Sequence, residues 1–167
     1  MLETIKRRAF ALSDFTKEAR HALHRIPELG FEEYKTSAYI KSRLDEIGIP
    51  HTGERTWIIG TIKGGLPGKT VALRADIDAL PIREETGLPF SSEHPGLMHA
   101  CGHDAHTAML LGAAKLLWDM RAEIPGTIRL LFQPAEETDG GAEPMIAAGA
   151  MRGVDAVYGL HVAGQAP

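Results

Sequence analysis

The sequence predicts an α/β fold: one layered sheet with helices on both of its faces. Two observations carry this. Short β-rich runs alternate with amphipathic, helix-spaced runs along the whole chain. The 167 residues, 44% of them hydrophobic and 24% charged, suffice for one domain with a substantial core and give no sign of disorder.

From Leu2 to Arg25 apolar residues recur at helical spacing (Ile5, Phe10, Leu12, Phe15, Ala19, Leu23), and Pro27 ends the run. Glu33 to Ile47 is a second amphipathic helix, stopped by "GIP" at Gly48 to Pro50. "TWIIGTIKGG" and "KTVALRADIDALP" are strands joined by a turn at Gly64 to Gly68. A long polar loop leads to an apolar helix, "AMLLGAAKLLWDM", with Asp104 or Thr107 as its expected cap. "TIRLLFQP" is a buried strand, "AEPMIAAGAM" a short helix and "VDAVYGLHV" a last strand. No repeat, linker or low-complexity segment interrupts the chain.

The formal net charge of −4 gives no support to a nucleic-acid or anionic-membrane partner. A single cysteine forms no internal disulfide, the start "MLETIKRRAF" has basic residues with no apolar leader-type run after them, and no membrane-length apolar run occurs in these residues. A cytoplasmic location is the default expectation.

The chemistry-bearing stretch is "HACGHDAH", His99 to His106, which packs three histidines, an aspartate and the lone cysteine into eight residues. It is compatible with a metal site, a cysteine nucleophile with its base, or a histidine-rich loop. Cys101 and His103, two apart around a glycine, offer donor types that Zn²⁺ and similar ions accept. A Cys–His nucleophilic pair is less apt, because residues two apart seldom orient toward each other. Glu136 and Glu137 directly follow a buried strand, whereas Glu32–Glu33 and Glu84–Glu85 are expected to be surface pairs. One carboxylate of the strand-end pair can bind a metal while its neighbour takes a proton from water. His161 ends the last strand. Asp76 can orient a ligand histidine; Asp78 is expected to cap a turn and pair with Arg74. All of these lie at strand ends or a helix start, where ligand sites form in open α/β sheets. The set describes a hydrolytic metal centre and names no substrate.

"LHRIPELGFEEYKTSAYI", "VALRADIDALPIREETGLPFSSEHPGLMHACGHDAHTAMLLGAA", "IRLLFQPAEE" and "VYGLHV" resemble the metal-dependent N-acyl-amino-acid amidohydrolases. These form the aminoacylase, hippurate hydrolase and auxin-conjugate hydrolase branch of the dimetal peptidases, and the resemblance runs from about Arg20 to Val162. It implies a three-layer α/β/α mixed sheet of the zinc-peptidase type. It implies Cys101, His103, Glu137 and His161 as metal ligands, Glu136 as general base and acid, and Asp76 in a supporting role. It further implies two divalent ions (Mn²⁺ or Zn²⁺, with Co²⁺ or Ni²⁺ also compatible), a small N-acyl amino acid as substrate, and a homodimer for the whole protein. Such proteins continue after the "GLHV" strand into a lid and dimerisation domain and a return segment carrying another histidine ligand. Residues 1–167 are therefore expected to form part of a catalytic domain, with an incomplete second metal site and an exposed sheet edge prone to self-association. The alternatives are a non-catalytic metal-binding or assembly module, and a cysteine hydrolase using Cys101 with His103 or His106.

Overall fold

The computed structural model describes residues 2–138 and 140–163. Helices α1 (Leu2–Ala11), α2 (Ser13–His24) and α3 (Tyr34–Ile47) precede strands β1 (His51–Thr52), β2 (Ile58–Lys63) and β3 (Leu66–Asp76). Helix α4 (His103–Asp119), a 3₁₀ turn at Arg121–Glu123, β4 (Pro125–Gln133), α5 (Ala142–Ala147) and β5 (Ala156–Gly159) complete the order. The five strands form one mixed sheet in the order β1-β2-β4-β3-β5. Strand β3 runs parallel to both β4 and β5, while β2 is antiparallel to β4 and to β1.

β2 and β3 are consecutive in sequence but do not pair, because β4 lies between them. The tight turn that joins them explains how. Its N–H groups at Gly64, Gly65 and Leu66 donate to the carbonyls of Gly126, Arg121 and Ile124, so the turn docks on the segment entering β4. A closed hairpin would have spent those donors internally.

Period-two alternation splits the sheet's side chains between two cores. Leu130 and Phe132 of β4 and Ile58 and Ile62 of β2 meet Ala19, Leu23, Ile40, Leu44, Leu111 and Ala114 from α2, α3 and α4. Ala72, Leu131 and Trp57 point the other way, onto Met145 and Ala150 at α5. Full burial of a Leu, Ile or Phe side chain contributes roughly 1.5–3 kcal/mol, so the first face carries most of the stability. Both faces are covered, as the alternation of elements predicts, but one far more heavily.

Two expectations need correction. The run from Leu2 to Arg25 is two helices, with the chain turning at Leu12; none of the α1 residues is buried, so nothing forces the two into one rod. Neither Asp104 nor Thr107 caps α4, which starts after Gly102 at φ 97° with no side-chain cap. Only glycine takes that conformation without strain, and a Cβ there would come within 2.4 Å of Val162. Among the described residues no helix is long and apolar enough to cross a membrane.

Candidate metal centre at the rim of the parallel strands

Parallel pairing brings the carboxyl ends of three strands to one rim. Asp76 closes β3 opposite Gln133 of β4, so Asp76 and Asp78 lie beside Glu136 and Glu137. Arg74 pairs with Gly159 of β5, which places His161 just beyond on the other side. The N-terminus of α4 delivers Cys101 and His103 to the same place.

Three overlapping donor groups result: Cys101, His103 and His161; Asp76, His103 and His106; and His103, Glu136 and Glu137. Within each, the donor atoms lie within 4.8 Å of one another. His103 belongs to all three. Its Nδ1 donates to the carbonyl of Asp78 at 3.0 Å and to Asp78 Oδ1 at 3.2 Å. Its Nε2 is buried and has no hydrogen-bond partner among the described residues. That atom faces Asp76 Oδ2 at 3.7 Å, Glu137 Oε1 at 3.7 Å and Glu136 Oε2 at 4.0 Å. A buried imidazole lone pair aimed at three carboxylates is unfavourable unless a proton or a cation stands between them.

The other donors are oriented just as specifically. His161 Nδ1 donates to the Val162 carbonyl at 2.6 Å, which leaves Nε2 to face Cys101 Sγ at 3.4 Å. His106 is spoken for on both nitrogens: Nδ1 donates to Asp76 Oδ1 at 2.6 Å and Nε2 accepts from the Val162 N–H at 2.9 Å. It is therefore a strut that ties the segment bearing His161 to β3, and it has no lone pair left for a metal. Asp76 accepts from Arg74 Nη1 as well, at 2.6 Å.

Electrostatics favour a cation. Asp76, Glu136 and Glu137 converge on His103 Nε2, with Asp78 on its Nδ1 side. Among the described residues Arg74 is the one Arg or Lys side chain hydrogen-bonded to any of these carboxylates. Burial pushes the Asp78 carboxyl up, but hydrogen bonds from His103 and the backbone amides of Glu137 and Glu136 hold it below the usual range. Burial lowers His103, yet Asp78, Asp76 and Glu137 together raise it above its ordinary value. Partial burial, reinforced by Glu137, pushes the Cys101 thiol up to about 11. A thiol so reluctant to ionise makes a poor nucleophile, whereas a bound metal displaces its proton outright. The donor set thus fits a divalent ion and speaks against the cysteine-hydrolase alternative.

Asp78 was assigned the wrong partner by sequence. Arg74 pairs with Asp76, two residues away on the same strand face, while Asp78 lies past the strand end and clamps both His103 and, through Oδ2, the Glu137 N–H at 3.0 Å. The other two glutamate pairs are surface pairs only by half: Glu32 and Glu85 are exposed, whereas Glu33 and Glu84 are not. Glu33 is fully buried. Glu84 accepts from the Ser92 N–H at 2.6 Å and lies 3.2 Å from His24 Nε2, with its side chain almost entirely covered. His99 is buried with both ring nitrogens unpartnered, and desolvation lowers it to about 4, so it is neutral and sits apart from the donor groups.

Fold and donor set define an α/β protein with a strand-end site suited to divalent metal. The sequence profile of peptidase family M20/M25/M40 matches residues 72–167, and the chain belongs to that family. It is 48% identical to thermostable carboxypeptidase 1 of Saccharolobus solfataricus, over all of this chain and 44% of the relative. It is 55% identical to the N-acetyl-L-cysteine deacetylase of Bacillus subtilis, over 85% of this chain and 35% of that protein. Among solved structures, a Bacillus subtilis dinuclear metal-binding peptidase of the M20 family superposes with a TM-score of 0.90 at 46% identity, over 94% of this chain and 45% of the other. The chain spans under half the length of these relatives.

Proposed function

We propose that the strand-end rim is a metal centre of a hydrolase that cleaves the amide between an acyl group and an amino acid. The observation that carries it is His103 Nε2, buried, unpartnered and facing three carboxylates beside the Cys101–His161 pair. Cys101, His103, Glu137 and His161 hold the metal. Two divalent ions, as the name of the Bacillus structure describes for that protein, suit so many donors. Mn²⁺ and Zn²⁺ fit a mixed sulfur, nitrogen and oxygen set, as do Co²⁺ and Ni²⁺. When bound, such ions supply Lewis-acid polarisation of the scissile carbonyl and acidify water.

The two glutamates divide the work by their anchoring. Glu137 has its N–H held by Asp78 and its carboxylate beside Cys101 and His103, which suits a fixed ligand. Glu136 is the more exposed, 41% against 24% for the side chain, and among the described residues nothing holds its carboxylate by a hydrogen bond. It takes the proton of the attacking water and returns it to the leaving amine. Asp76 fixes the His106 tautomer and thereby the His161 segment.

The substrate class rests on the relatives. A deacetylase of N-acetyl-L-cysteine and a carboxypeptidase both break an amide whose nitrogen belongs to an amino acid with a free carboxylate. Hippurate-like and N-acetyl amino acids are the substrates to try. A homodimer, a cytoplasmic location and the absence of nucleic-acid and membrane partners complete the proposal for the whole protein. Chelator-sensitive hydrolysis of an N-acyl-amino-acid panel, abolished in Glu136→Gln with metal content unchanged, is the expected result. Retained hydrolysis in that variant would overturn the role of Glu136, and stoichiometric metal without hydrolysis of any substrate would reduce the rim to a metal-holding module.

A further inference from the structure

The segment "PELGFEE", Pro27 to Glu33, contains no member of the donor set, yet it touches both acidic stretches of the rim. The Glu28 carbonyl accepts from the Ala79 N–H at 2.8 Å, one residue past Asp78. Its side chain meanwhile holds the start of α3, through the N–H groups of Lys35 and Thr36. Glu33 reaches across the fold: its Oε1 accepts from the Ala135 N–H at 2.8 Å, across 102 residues of sequence. Gly30 lies so close to the same turn that an added Cβ would come within 2.6 Å of Thr138 Oγ1 and 2.9 Å of Ala135 Cβ.

Ala135 is the residue immediately before Glu136 and Glu137. It is fully buried and has φ 48°, in the left-handed region that alanine rarely adopts. Such a conformation persists only where its surroundings impose it. The buried N–H of Ala135 also needs an acceptor, and Glu33 is the one it has. A fully buried carboxylate is costly: Glu33 Oε2 has no partner among the described residues, and burial raises the Glu33 pKa against the pull of Thr56 and nearby backbone amides.

We propose that Glu33 is a positioning residue for the metal centre: by accepting from the Ala135 N–H it fixes the strained turn that aims Glu136 and Glu137 at His103. The proposal rests on the metal-centre reading above. Glu33 touches no reacting atom and acts only through the backbone of that turn.

Cobalt(II) is the probe, added to the metal-free protein and followed by its thiolate charge-transfer and d–d absorption. Glu33→Gln keeps an acceptor oxygen at the same reach, so it retains cobalt affinity within about threefold. Glu33→Asp keeps the charge but falls about 1.5 Å short, one carbon–carbon bond. It weakens binding by about tenfold or more, the scale seen when outer partners of metal ligands are lost. The Cys101 charge-transfer band persists at saturating cobalt in Glu33→Asp while the d–d spectrum changes, a signature that general loss of stability does not produce. Glu33→Ala behaves as Glu33→Asp if it folds by circular dichroism; if it does not, the Gln and Asp pair carries the test. Parent-like binding in Glu33→Asp, or equal weakening in Glu33→Gln, overturns the proposal. Cys101→Ala is measured in parallel: unchanged cobalt affinity there, with no thiolate charge-transfer band in the parent, would instead overturn the metal centre itself.

Discussion

Two histidine clusters flank the first turn of α4, and both draw on the stretch from His99 to His106. On the side facing α2, His24 lies between Asp104, 2.8 Å from Nδ1, and Glu84, 3.2 Å from Nε2, with Arg20 Nε 3.2 Å from the same Asp104 oxygen. The hydrogen bond to Asp104 leads the influences that raise His24 above its ordinary pKa. Two carboxylates, a guanidinium and a protonatable imidazole leave little charge unbalanced there. On the side facing the sheet rim, three carboxylates converge on His103 Nε2, Arg74 bonds to one of them, and that nitrogen has no partner among the described residues. A metal centre is thus marked by carboxylates in excess facing an unpartnered nitrogen. Neither histidine density nor a missing partner alone distinguishes it, since His99 and Asp104 Oδ1 on the α2 side also have no partner among the described residues.

The sharpest way to separate the clusters is by function. Glu136→Gln should lower hydrolysis by about 10²- to 10⁴-fold, the range for losing a general base, while metal content by elemental analysis stays at the parental level. Removing Asp104, as in Asp104→Ala, should do the reverse. It leaves His24 and Arg20 without their shared carboxylate and should cost about 3 kcal/mol in urea unfolding, with metal affinity unchanged. Asp78→Asn bridges the two behaviours less severely. It weakens the grip on His103 Nδ1 and on the Glu137 N–H, and metal affinity by isothermal titration should fall about 10- to 100-fold.

The smallest effect is a pH slope. His24 has a raised folded pKa, so the stability it contributes is complete below the unfolded value near 6.5 and is lost as pH rises through the folded value. Urea midpoints of the parent should therefore decline above pH 6.5, and Glu84→Gln should flatten that decline. A steeper decline in Glu84→Gln would mean that Glu84 does not hold the proton on His24.

Much of the rim was legible in sequence because its residues sit at recognisable places: strand ends after "VALRA" and "IRLLFQ", and a glycine-led helix start. Strand pairing then had only to bring those ends together. The second cluster left no such trace, since His24, Glu84 and Asp104 are 60 and 80 residues apart and each looks ordinary locally. Glu33 was hidden for the same reason. Beside Glu32 at a helix start it has the pattern of a solvated pair, and only the fold supplies the Ala135 N–H that explains its burial. The exchange of partners between Asp76 and Asp78 turned on geometry past the strand end, where period two no longer holds. Met1, Asp139 and residues 164–167 lie outside the described residues.

The central claim is that the rim binds metal through Cys101, His103, Glu137 and His161 while the neighbouring histidine cluster does not. Elemental analysis of protein equilibrated with Mn²⁺ or Zn²⁺ and then desalted tests it directly. Stoichiometric metal in the parent and in His24→Gln, with substantial loss in Cys101→Ala and His161→Ala, is the predicted result. Metal retained in Cys101→Ala and His161→Ala, or lost in a folded His24→Gln, would contradict it.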